Sequence, residues 1–181
     1  MIKSKNIFSL KLIAVFFVVS SIFLGCASTS SKVESEKALV WDSSIKRGSL
    51  ENGITYFIKK NTTPANRITL RLVVKAGSVM EEENERGVAH LIEHMSFNGT
   101  ENFEKSAIVD YFEKIGMNFG SDLNAYTSFE QTVYKLEIPA DDPKILETAM
   151  LIFHDWACGI TFPQEELDKE RGVVTEEWRL G

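Results

Sequence analysis

Two periods of hydrophobic spacing run along this chain. Ile68, Leu70, Leu72 and Val74 recur every second position, with Arg67, Thr69, Arg71 and Lys75 between or beside them. That period predicts a strand with one buried face. Tyr134, Leu136 and Ile138 alternate with Val133, Lys135 and Glu137 in the same way, predicting a second half-buried strand. Asn52-Gly53, between Leu50 and Ile54-Tyr56-Ile58, signals a tight hairpin turn. Elsewhere the period lengthens to that of a helix. One helix is expected from about Asn84 to Ser96, ahead of an Asn98-Gly99 turn. Another is expected over 105–115, with Ile108, Phe112 and Ile115 on one stripe and Gly116 past its end. Asp142-Pro143 reads as a cap and first residue opening a helix with Ile145, Ala149, Phe153 and Trp156 inward. Thr161 and Gln164 resemble a capping box for a last helix over 163–180. Antiparallel strands with separate helices give an α+β fold, an antiparallel or mixed sheet packed against helices.

The first residues follow another logic. Lys3, Lys5 and Lys11 precede an apolar stretch from Leu12 to Leu24. As a helix it would rise about 20 Å, short of the roughly 30 Å hydrocarbon core. A basic start, a short apolar run and then small residues predict a secretory signal over residues 1–25. The segment Phe23-Leu24-Gly25-Cys26-Ala27 resembles a bacterial lipobox, which makes Cys26 the expected lipidated first residue. The polar run Ser28 to Glu36 then reads as part of a flexible tether over 26–44, leaving 45–181 as the folded domain. The expected location is the bacterial cell envelope, held by a lipid anchor, on the periplasmic side of the outer membrane in a Gram-negative cell.

Composition narrows the function classes. The 181 residues are 44% hydrophobic with a formal net charge of −6, which fits a globular domain and argues against a nucleic-acid partner. Two cysteines cannot staple a small scaffold. The acidic run Glu81 to Glu85 reads as a solvated loop complementing a helix N-terminus.

The chemistry is concentrated in His90-Leu91-Ile92-Glu93-His94, which holds two of the chain's three histidines. Shuffling the composition would produce His-x-x-Glu-His in about 0.3% of sequences. On a helix, His90 and His94 share one face and can reach a single metal ion. Glu93 lies on that face too, within reach of an attacking water. Two imidazoles with a carboxylate and an open position suit catalytic zinc. A di-iron site would need Glu-x-x-His pairs, which are absent, and Cys158 alone cannot complete a structural zinc site. A third ligand is available on the last helix. Glu170 and Glu177 are two turns apart and share a face, so either can be the ligand and the other its neighbour. Glu165, Glu166 and Glu176 read as solvated.

Extended as HLIEHMSFNGT (90–100), the motif resembles the zinc helix of the pitrilysin/insulinase family of inverted metallopeptidases. Leu123 to Ser128 (LNAYTS) and the Glu170 to Glu177 run are similar to that family's other signature stretches, and Leu50 to Gly53 to its opening hairpin. The resemblance covers roughly 45–181. It implies a half-domain whose zinc helix faces the sheet, one Zn2+ per chain held by His90, His94 and a glutamate of the last helix, and Glu93 as general base. Counting from His94 favours Glu170 as that glutamate. The local run E-R-G-V-V-x-E-E favours Glu177, which is preferred because register within a helix is costlier to shift than loop length. Glu170 then becomes the carboxylate behind the ligands. The implied reaction is hydrolysis of peptide bonds in extended peptides or unfolded polypeptides. Asn124, Ala125, Tyr126 and Thr127 resemble the edge strand on which substrate pairs.

The family also implies a second, similar half closing over the zinc, whereas the sequence stops at Gly181, just beyond Glu177. The chain is therefore expected to be a truncated copy, a fragment, or a subunit completed by another polypeptide, with little activity alone. The alternatives are a non-catalytic scaffold of the same fold and an envelope lipoprotein that only binds zinc. His154 and Cys158, four apart, read as an incidental histidine and a core cysteine; Phe97, Phe103, Phe112, Phe119 and Phe129 read as core.

Overall fold

The computed structural model describes residues 40–180. The expected signal, Cys26 and the Ser-rich run lie outside the described residues. The chain divides into two compact units, one up to Lys59 and one from Lys60 onward.

In the first unit, β1 (Lys46–Ser49) and β2 (Thr55–Ile58) pair antiparallel, with Ser49 opposite Thr55. The turn between them is longer than a two-residue hairpin. Gly53 N–H donates to Leu50 O (2.9 Å) and Leu50 N–H to Ile54 O (2.8 Å), while Asn52 Oδ1 accepts from Ile54 N–H. Trp41 stacks on Phe57 at 5.6 Å between centroids. Asp42 accepts from Lys59 Nζ (2.8 Å) and from both the backbone and hydroxyl of Ser44. These bonds hold its carboxyl well below the usual range.

The second unit is built on a three-stranded antiparallel sheet in the order β3 (Arg67–Val74), β5 (Thr132–Pro139), β4 (Leu123–Thr127). Exposure along β3 alternates without a break, as its period-two sequence predicts. β5 is central, and Val133, Tyr134, Leu136 and Ile138 are buried. Its register sets Leu70 opposite Leu136 on one side and Ala125 opposite Tyr134 on the other. The helices are α1 (Val88–Met95), α2 (Ala107–Lys114), α3 (Pro143–Cys158) and α4 (Gln164–Leu180). Ile145, Ala149, Ile152 and Trp156 of α3 join Ile108 and Phe112 of α2 in the core over the sheet. No helix among the described residues is long and apolar enough to cross a membrane.

Helix ends explain where the sequence periods stop. Asp142 Oδ1 accepts from Lys144 N–H at 2.9 Å, and Pro143 is the first residue of α3, as expected. At the end of α2, Met117 N–H reaches Phe112 O and Gly116 N–H reaches Glu113 O, a paired closure that frees the chain to turn. α1 starts four residues later than its sequence pattern suggests. Gly87 takes φ +90°, a conformation that suits glycine and breaks the helical run before it. Glu81 then reaches across, accepting from Gly87 N–H and Ala89 N–H at 2.8 Å each, so the acidic loop does complement the helix N-terminus. The expected capping box on α4 does not form. The helix begins at Gln164, with Leu167 N–H donating to Pro163 O, and the Gln164 amide turns forward to Asp168. Thr161 is therefore too far upstream to act as the cap.

Candidate metal centre

The helical period of α1 brings His90 and His94 onto one face, their Nε2 atoms 3.2 Å apart. α4 packs against α1 and places Glu177 Oε2 3.5 Å from each of those nitrogens. Three donor atoms thus form a triangle with edges of 3.2, 3.5 and 3.5 Å. Tetrahedral ligands with metal bonds of about 2.0–2.2 Å stand roughly 3.4 Å apart, so the triangle has the size of one face of a zinc tetrahedron. Glu170, one face-sharing interval earlier on α4, lies behind it. Its Oε2 is 2.9 Å from His94 Nδ1. Because a carboxylate only accepts, Nδ1 carries the proton and Nε2 presents its lone pair to the triangle. Two imidazoles, one carboxylate at the triangle and a second carboxylate orienting a ligand histidine match the donor chemistry of a zinc site. The two glutamates that sequence spacing leaves interchangeable thus occupy different positions, Glu177 at the triangle and Glu170 on the far side of His94.

Glu93 is on the same face, and its side chain is largely buried. Thr127 Oγ1 donates to Glu93 Oε2 at 2.7 Å, and Thr132 Oγ1, 3.3 Å from Thr127, is turned to Ala76 O. The glutamate is thereby held by β4 while facing a cavity of about 410 Å3 that also contains His90, His94, Glu170 and Glu177. Phe97 and Phe119, edge to face at 5.5 Å, form an apolar wall of that cavity. Glu177 is half exposed, so the cavity is open to solvent.

β4 supplies the other border. Leu123 N–H and C=O bond to Asn118 O and Gly120 N, away from β5, while Asp122 O accepts from Glu137 N–H of β5. Strand alternation then directs the backbone groups of Ala125 and Thr127 away from β5 as well. β4 is an edge of the sheet among the described residues, and Ala125 N–H is met by Asn124 Oδ1 at 2.9 Å. Asn124 and Ala125 line the cavity, Thr127 reaches Glu93, and Tyr126 lies on the strand's exposed side.

Several expected assignments change. Phe119 and Phe129 are not core. Phe119 is more than half exposed and faces the cavity, and Phe129 projects from the turn between β4 and β5. Glu166 is not simply solvated, because its carboxylate bonds to Lys105 and Lys169, which hold it below its ordinary pKa. Cys158 is exposed, although Asp155 and Trp156 in the same last turn of α3 are buried. Asp155, given no role by the sequence pattern, is fully buried. It accepts from Thr100 Oγ1 (2.6 Å), Asn102 N–H (3.0 Å) and Asn102 Nδ2 (2.8 Å), fixing the loop that follows the histidine helix. Trp156 adds a bond from Nε1 to Ser96 O at 3.1 Å. Tyr134, beneath α1, has its hydroxyl pushed up to about 12 by burial and then by the charge of Glu93.

A sequence model of the family described as insulinase (peptidase family M16) matches residues 56–179. The chain is 41% identical over 169 residues to the probable zinc protease PqqL of Haemophilus influenzae, covering 93% of this chain and 18% of the relative. It is 44% identical over 142 residues to the Escherichia coli protein of the same description, covering 78% of this chain and 15% of that one. The crystal structure of the first half of the periplasmic protease PqqL from Escherichia coli superposes with a TM-score of 0.75 at 43% identity, covering 80% of this chain and 31% of the other. The chain thus spans less than a fifth of the length of these full-length relatives. It carries part of the fold of that first half, and it belongs to the insulinase family, peptidase family M16.

Proposed function

We propose that this chain is the zinc-binding part of a metalloendopeptidase that hydrolyses extended peptides or unfolded polypeptides, with one zinc held by His90, His94 and Glu177. The observation that carries the reading is the donor triangle with Glu93 beside it. A bound zinc would supply Lewis-acid activation of the scissile carbonyl and of the attacking water. Glu93, fixed by Thr127, takes the proton from that water and returns it to the leaving amine. Glu170 keeps His94 in the tautomer that leaves Nε2 free. The outward backbone groups of Ala125 and Thr127 accept an extended peptide as an added strand, with Asn124 and Tyr126 flanking it. An incoming strand displaces the Asn124 amide from Ala125 N–H. Among the described residues Glu177 is left half exposed, and the much greater length of the relatives supports completion by a second, homologous half that excludes water and fixes the peptide.

The test is zinc content per chain after extensive dialysis, with and without Glu177→Ala and Glu93→Gln. One zinc in the parent and in Glu93→Gln, with none in Glu177→Ala, is the expected pattern. A folded chain without zinc refutes the ligand set. Once the second half is supplied, Glu93→Gln abolishes hydrolysis of a quenched extended peptide while retaining zinc; retained hydrolysis removes Glu93 as the base. The proposed location is the bacterial cell envelope. The domain boundaries at residues 25 and 44 and a lipid anchor on Cys26 belong to that reading, which metabolic labelling with a fatty acid tests by its loss in Cys26→Ser.

A further inference from the structure

A second cluster of reactive side chains lies on α3, separate from the metal-ligand set. His154 Nδ1 is 3.2 Å from Asp155 Oδ1, and His154 Nε2 is 3.6 Å from Cys158 Sγ. We propose that Cys158, His154 and Asp155 form a nucleophilic thiol site that exchanges with low-molecular-weight disulfides.

The argument starts at Asp155. Its carboxyl group is fully buried. Burial raises its pKa, but donation from Thr100, Asn102 and His154 outweighs that and leaves it below the ordinary aspartate range, so it is ionised at neutral pH. An ionised carboxylate can only accept, which puts the proton of a neutral His154 on Nδ1 and a lone pair on Nε2. That lone pair faces Cys158 Sγ across one turn of helix. The thiol also lies 3.3 Å from His154 O, so its proton has two acceptors on the same residue. His154 is mostly exposed and Cys158 is exposed, which gives a small disulfide access to the sulfur. Asp155 is anchored by Thr100 and Asn102, and it therefore acts as a positioning residue for the imidazole.

In the exchange, the Cys158 S–H proton passes to His154 Nε2, and the thiolate attacks one sulfur of the disulfide. A new S–S bond joins Cys158 to that sulfur as the old bond breaks. The departing thiolate takes the proton back from His154. The added disulfide is the oxidant, and one thiol is released for each mixed disulfide formed.

The test uses the 181-residue chain carrying Cys26→Ser, treated with glutathione disulfide at pH 7 and followed by intact mass. The expected result is one adduct per chain, at Cys158, forming about tenfold faster than in His154→Ala or His154→Gln, less than the roughly 100-fold or more of a sequestered base because both groups are exposed to water. In urea-unfolded chains the three rates should coincide, which separates the folded arrangement from intrinsic thiol reactivity. Equal rates in the folded parent and both folded variants overturn the proposal, as does a thiol unreactive until urea is added.

Discussion

Replacing Asp155 with alanine should destabilise the domain by about 3–4 kcal/mol without touching the metal ligands, an effect carried by the buried carboxylate. Its three bonds to Thr100 and Asn102 are not equivalent. Asn102 is exposed and can exchange its two bonds for water at little cost. Thr100 is buried, and its hydroxyl, 2.6 Å from Asp155 Oδ2, loses its acceptor outright. Leaving one buried donor unpaired costs roughly 1–3 kcal/mol. Losing charge-assisted bonds and creating a cavity the size of a carboxymethyl group brings the sum to about 3–4 kcal/mol. For a domain of this size that corresponds to a drop of about 10 °C in Tm. Urea and thermal unfolding by circular dichroism measure it. Asp155→Asn keeps the volume but turns one acceptor into a donor, so about 2 kcal/mol is expected. The charge also sets a pH window. Because hydrogen bonding depresses the folded-state pKa below the ordinary value of roughly 3.9, the contribution is present above that value and lost as pH falls through the folded pKa. The gap between parent and Asp155→Asn should therefore shrink below about pH 4. A loss under about 1 kcal/mol for Asp155→Ala, or a gap that grows in acid, would refute this account of the loop anchor.

Three further outcomes follow from named contacts. Glu170→Gln should weaken zinc binding by about 10–100-fold, measured against a competing chelator, because His94 loses the carboxylate that fixes its tautomer. Gly77→Ala should cost about 2–4 kcal/mol in urea unfolding, since a Cβ there would stand 2.3 Å from Ser128 O and force apart the segment in which Ser78 N–H bonds the same oxygen. Tyr134 keeps its proton in the folded state up to about 12, so its contribution is intact below the ordinary value near ~10 and is lost as pH rises through the folded value. Comparing unfolding of the parent and Tyr134→Phe at pH 9 and 11 should show a larger alkaline loss in the parent, on top of the loss that groups such as Lys169 give both proteins.

The parts legible in the sequence are those fixed by local geometry. His90 and His94 meet because four residues make about one helical turn, and no tertiary information is needed to see it. β3 and β5 were legible because each has one face whose burial imposes period two. Glu177 and Glu170 mark the boundary of that legibility. Their spacing puts both on one face of α4, but which imidazole atom each meets depends on how α4 lies against α1, and only the fold supplies that. Asp155 was hidden for a related reason. It sits between Ile152 and Trp156 on a helix whose apolar stripe reads clearly, and a charge beside such a stripe normally faces water. Its burial follows from Thr100 and Asn102, far away in sequence, whose loop closes over it. The same aspartate is adjacent to His154, so one long-range closure both anchors the loop beyond the metal-ligand helix and orients the imidazole beside Cys158. A sequence pattern reports the faces of single elements. Polar groups shared between elements stay invisible until the elements have packed, and that is where the unexpected chemistry of this chain resides.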